Sequence, residues 1–171
     1  MLKKVAVGGA LVAMTSGAYA AVDGTLGATS TGSFDISLTV NGAVKISNLS
    51  DMTLPPFSGS DVSNTQTACV YSNSTGGNYN VTATATGASF DLNGTGGSIL
   101  YNVEYDDGSA GGFVGLTHGN AAAMTNASAT DDDCGGSGSN ATVRVSVDAA
   151  DAAAVPQGSY TSTLTLLVAP I

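Results

Sequence analysis

Apolar and polar residues alternate with a period of two along most of this chain. Phe34, Ile36, Leu38 and Val40 are separated by Asp35, Ser37 and Thr39, the pattern of a strand with one apolar face. After Asn41 and Gly42, Val44 and Ile46 mark a second run over Ala43–Ser47. Further strands are expected at Gln66–Ser72, at Tyr79–Thr86, around Phe90 and Leu92, through Ile99, Tyr101, Val103 and Tyr105, and at Phe113–Thr117. Val143, Val145 and Val147 form a clean strand, and Tyr160, Leu164, Leu166 and Val168 form the last. Pro55 and Pro56, the turn Asp106-Asp107-Gly108 and clusters of Gly, Ser, Thr and Asn separate the runs. Asp148–Val155 is the one helix-like stretch, and Pro156 stops it. Gly119–Asn140, poor in large apolar residues, reads as a long surface loop. Many short strands without an amphipathic helix predict an all-β sandwich in a single domain.

The start of the chain has a different pattern. Lys3 and Lys4 precede the apolar stretch Val5–Met14, and Ala18-Tyr19-Ala20 is an A-x-A cleavage site. Residues 1–20 are therefore expected to be a removable secretion signal, too short in its apolar part to remain as a membrane-spanning helix. The mature chain Ala21–Ile171 would be 171 − 20 = 151 residues long. Cleavage removes two of the four basic residues and leaves Lys45 and Arg144 against thirteen acids, a net charge of 2 − 13 = −11. Such a chain repels nucleic acid and anionic headgroups, so neither nucleic-acid binding nor membrane insertion is expected. Two cysteines in an exported chain point to a Cys69–Cys134 disulfide, the other reading being two buried free thiols.

Little in the sequence points to catalysis. His118, the only histidine, lies beside a glycine-rich turn and reads as a solvated loop residue. Neither a nucleophile elbow, a zinc motif nor a phosphate loop is present, so the sequence predicts no enzyme, no cofactor and no metal centre. Asp131, Asp132 and Asp133, and Asp106 with Asp107, offer hard oxygen ligands suited to calcium. Their spacing fits no known calcium loop, so they read first as solvated acidic turns, with calcium ligation the lesser reading. Six N-x-S/T sequons occur, at Asn48, Asn73, Asn80, Asn93, Asn126 and Asn140, as a chain this rich in Asn, Ser and Thr produces by chance.

Three stretches together resemble a chaperone–usher pilus (fimbrial) subunit of the archaic or alternative branch, and the related spore coat protein U domain. Ser33–Val40 (SFDISLTV) running into Asn41–Ile46 (NGAVKI) is similar to an N-terminal donor segment followed by the first core strand. Thr67–Tyr71 (TACVY) followed by Gly77–Val81 (GNYNV) resembles the family's cysteine-bearing strand and the next one. Pro156–Tyr160 (PQGSY) leading into Thr161–Val168 resembles its closing strand. The chain departs from many archaic subunits at Ala43, Val44 and Lys45, near which they carry a cysteine.

The resemblance implies an incomplete, immunoglobulin-like sandwich over residues 43–171, lacking its final strand, behind an N-terminal extension and donor strand over residues 21–42. Phe34, Ile36, Leu38 and Val40 would be the donor residues, and Leu164, Leu166 and Val168 would line the acceptor groove. The implied partners are identical or related pilin subunits, a periplasmic chaperone and an outer-membrane usher. The implied product is a cell-surface fibre for adhesion or biofilm formation, built by donor-strand exchange. Two other readings stand beside it. One is a monomeric secreted sandwich that binds a carbohydrate or surface partner and folds its own N-terminal strand inward. The absence of tryptophan weighs against it, since sugar sites use stacking faces. The other is a calcium-dependent surface-layer component.

Overall fold

The computed structural model describes residues 20–136 and 138–171, so all of the expected secretion signal except Ala20 lies outside the described residues. The chain divides into two units between Val40 and Asn41. In the N-terminal unit Val22 and Ser33 exchange both backbone hydrogen bonds at 2.9 Å, closing the intervening residues into a loop. The strand expected over Ser33–Val40 does not form beyond that bridge. A strand needs a partner for its N–H and C=O groups, and Phe34–Val40 has none among the described residues.

Among the described residues the second unit, Asn41–Ile171, carries ten strands. They are β1 (Val44–Ser47), β2 (Val62–Ser72), β3 (Tyr79–Ala85), β4 (Asp91–Gly94), β5 (Gly97–Leu100), β6 (Asn102–Asp106), β7 (Val114–Gly115), β8 (Ala121–Met124), β9 (Ala141–Val147) and β10 (Leu164–Pro170). A short helix, α1 (Ala149–Ala153), follows β9. One sheet has the order β1-β2-β9-β6-β7, a second the order β10-β3-β8, and β4 pairs with β5 as a hairpin. Every ladder is antiparallel. The chain is an all-β sandwich.

Alternation explains the core. Val143, Val145 and Val147 of β9, Val103 and Tyr105 of β6, and Tyr79, Val81 and Ala83 of β3 are all buried, while residues between them point outward. Tyr79 and Tyr105 meet between the sheets with hydroxyls 3.0 Å apart. Burial pushes both phenols up, Tyr105 to about 12, so each stays neutral and satisfies the other.

Two expectations are corrected. The run through Ile99 and Tyr105 is two strands, because the ladder partner changes at Tyr101 from β4 to β9. The stretch 119–140 is not a continuous loop, since Ala121–Met124 pairs with Tyr79–Thr82 and buries Met124. Alanine has little intrinsic strand preference, and the pairing supplies what the sequence lacks.

Asp107 fixes the chain leaving β8. Its carboxylate accepts hydrogen bonds from the Thr125 amide and hydroxyl at 2.8 and 3.0 Å and from the Ser109 amide at 3.0 Å. Burial opposes its ionisation, but these bonds outweigh burial and hold the carboxyl below its ordinary value of 3.8. A depressed folded-state value gives stability that is complete above the ordinary value and lost as pH falls through the folded one. Asp107→Asn should therefore flatten the decline in melting temperature between about pH 5 and pH 2. Melting curves of the two proteins across that window check this, and parallel curves would refute it.

Candidate functional site

The order of strands leaves β1 and β10 each with one unpaired edge, and these two edges lie against each other without forming a ladder. They run in opposite directions. At one end a Cβ on Gly42 would come within 3.1 Å of the Pro170 ring, and the Ser74 hydroxyl donates to the Ile171 carbonyl at 3.3 Å. At the other end the chain beyond β1 and the chain entering β10 diverge around a cleft of about 230 Å³.

Register explains which side chains face this seam. Leu164, Leu166 and Val168 pair across β3 with Ala85, Ala83 and Val81, so they share the inward face and are half-buried against the core. Leu164 also lines the cleft. Thr165 and Leu167 point outward and are exposed. On the facing edge Val44 and Ile46 are half-buried against the same core. The floor of the cleft is Leu92, Tyr101 and Val145. Tyr101 stacks beside Phe90 with ring centroids 5.5 Å apart, and its hydroxyl lies 3.4 Å from that of Ser162. The strand expected from Tyr160 begins only at Leu164. Before it, Thr161 is bridged to Asn93 of the β4–β5 hairpin.

Sequence reasoning missed the wall opposite β10. It consists of Ser50, Asp51, Met52 and Leu54, and it is held by amide side chains in place of a ladder. Gln66 accepts from the Ser50 amide at 2.9 Å and its hydroxyl at 3.3 Å, and Asn64 donates to the Thr53 carbonyl at 2.8 Å. The available signal was Gln66 itself, a polar residue on a strand position whose ladder partner is the buried Val143.

The four apolar residues of Phe34–Val40 in the N-terminal unit are solvent-exposed. Phe34, Ile36, Leu38 and Val40 are 74%, 84%, 87% and 75% exposed. Large apolar side chains left so open on a regular period are an association hazard.

Cys69 and Cys134 form a disulfide, with Cα atoms 5.9 Å apart. It fastens the segment after β8 to the outer face of β2, where Lys45 of β1 meets Asp132 at 3.0 Å and Asn48 donates to the Gly138 carbonyl at 2.7 Å. The ligand atoms of Asp131, Asp132 and Asp133 lie within 4.8 Å of one another. They are the hard-cation donor set of the described residues, with Lys45 already beside Asp132.

His118 is not a solvated loop residue. It is half-buried, its ring meets Phe90 edge-on at 5.2 Å, and Nε2 accepts from the Ala85 amide at 3.0 Å. The histidine caps the end of β3. Several sequon asparagines are committed in the same way. Asn140 brackets Val70 through both its amide atoms, Asn73 joins Ala43 and Asn41, and Asn126 donates to the Asp107 carbonyl. Among the described residues no helix is long and apolar enough to cross a membrane.

No family model and no curated protein matches the chain. Among solved structures, one of a chaperone–tip adhesin complex, vital for synergistic activation of CFA/I fimbriae biogenesis, is similar at 13% identity with a TM-score of 0.47. The match covers 77% of this chain and 42% of that one, so the chain spans less than half the length of that protein. At that identity and score the likeness assigns no role to any residue.

Proposed function

We propose that this chain is an exported structural pilin, with no enzymatic activity, that polymerises by donor-strand exchange into a surface fibre for adhesion or biofilm formation. The observation that carries the reading is the pair of unpaired edges, β1 and β10, closing on a seam of half-buried apolar side chains. An open apolar edge is a template for another strand. The same chain holds the complement. Phe34 to Val40 presents four apolar residues at alternate positions, and seven extended residues span about 20 Å, the length of β10. Backbone pairing along β10 gives affinity, and alternate side chains entering the seam give register. A contact between different surfaces of successive copies does not close on itself, so it builds a filament.

The sequence resemblance to chaperone–usher subunits supports the same reading. It supplies the expected partners: a periplasmic chaperone covering the seam before assembly, an outer-membrane usher, and identical or related subunits afterwards. Phe34, Ile36, Leu38 and Val40 are then the donor residues, and Leu164, Leu166 and Val168 face them.

Leu166→Asp tests the acceptor side. A carboxylate at the middle of the inward face of β10 is buried without a partner once a strand covers it, at a cost of several kcal/mol. The variant should lose chaperone capture and be degraded during export, while Thr165→Asp, on the outer face, should accumulate normally. Normal levels of Leu166→Asp in exported material would refute the assignment. For the reading as a whole, electron microscopy of sheared surface material should show fibres, and gel filtration of purified mature chain should show detergent-resistant polymers. A stable monomer that unfolds when residues 21–40 are deleted would establish a self-complete binding module instead.

A further inference from the structure

We infer that Gln66, assisted by Asn64, is a positioning residue that sets the width of the cleft at the open end of the β1–β10 seam. The inference rests on the strand-donation reading and concerns the rate at which a donor strand enters.

The ladder between β1 and β2 ends at Ser47 opposite Cys69. Beyond that point β2 continues for seven residues toward Val62, and there it pairs only with β9. Asn48, with φ of 62°, turns the chain at the end of β1. Residues 50–53 then run beside β2 without backbone pairing, held by Gln66 to Ser50 and by Asn64 to Thr53. Asn64 and Gln66 are two residues apart and so project from the same face of the strand. A bond made through a side chain holds the wall off by that side chain's length, whereas a ladder would draw it to about 4.8 Å from β2. The wall so held forms one side of the cleft, across from Leu164 of β10, and Gln66 itself lines that cleft beside Met52, Leu54 and Val145. Gln66 thus explains its own position: polar on an apolar face, it accepts two bonds that keep the wall upright.

Both Gln66 contacts use its side-chain oxygen as an acceptor, which gives a clean chemical test. Gln66→Glu keeps the acceptor, and Gln66→Met keeps the length without it. Purified mature chains are compared for fibre growth by light scattering, at a temperature where each is folded by circular dichroism. Gln66→Met should slow growth about tenfold, the factor matching one or two lost hydrogen bonds. Gln66→Glu should stay within about twofold of wild type. Asn64→Leu, at an exposed position, should slow growth in the same direction, and it carries the test should Gln66→Met fail to fold. Wild-type growth of Gln66→Met or of Asn64→Leu, or a Gln66→Glu as slow as Gln66→Met, overturns the inference while leaving the pilin reading intact. A wild-type chain that forms no fibre overturns both.

Discussion

Ile36→Asp and Leu38→Asp should each give a subunit that folds and is exported but adds to no fibre. In the isolated chain both side chains are open to water, so a carboxylate there costs the folded unit nothing. Once seated in the seam of the next copy, each would lie mid-segment, flanked by Phe34 and Val40, and could not reach solvent. An unpaired buried carboxylate costs several kcal/mol, and the lost apolar burial adds roughly 1.5–3 kcal/mol. Together these exceed what one end of a strand contact can absorb. Asp35→Asn, on the opposite face, should leave assembly within a factor of about two. Fibre counts in sheared surface material and the polymer ladder on detergent gels check the three variants. Fibres from Leu38→Asp at wild-type yield would remove the N-terminal segment from the mechanism.

Much of the sandwich was legible because its strands obey the pleat. The alternations at Tyr79–Ala83 and Val143–Val147 reach the core in the register the sequence implies, and Leu164, Leu166 and Val168 fall on one face. Three features were not legible, each for a physical reason. Ala121–Met124 carries no strand signal of its own and pairs because β3 offers an edge. The break at Tyr101 changes partner without changing the inward face, so alternation runs through it unaltered.

The third concerns the polar residues. Asn48, Asn64, Gln66, Asn73, Asn126 and Asn140 all tie backbone to backbone across gaps that no ladder spans. In composition they read as turn formers and sequons; in the fold they are brackets. Short amide side chains can replace a missing ladder bond wherever a strand edge ends early, and nothing in a linear pattern distinguishes that use from a solvated loop. The cleft beside β10 escaped sequence reasoning for the same cause, since its wall is made of such bonds.

Replacing Cys69 and Cys134 together by serine should destabilise the sandwich by roughly 2–5 kcal/mol and reduce assembly. The disulfide closes a sequence separation of 65 residues, for which the chain-entropy estimate is about 4 kcal/mol. Its local effect falls on β1. The segment it fastens supplies Asp132 to Lys45 and the Gly138 carbonyl to Asn48; Lys45 lies within the four-residue edge strand and Asn48 directly follows it. Asn140 and Ser128 hold the same segment to Val70 and Ser72 by backbone-directed bonds, so it should loosen rather than leave. Denaturant titration of the double variant against wild type measures the loss. Intact mass after alkylation, with and without reduction under denaturing conditions, should show that two thiols appear only on reduction. Two thiols alkylated in native, unreduced protein would refute the bond, and an unchanged denaturation midpoint in the double variant would refute its structural role.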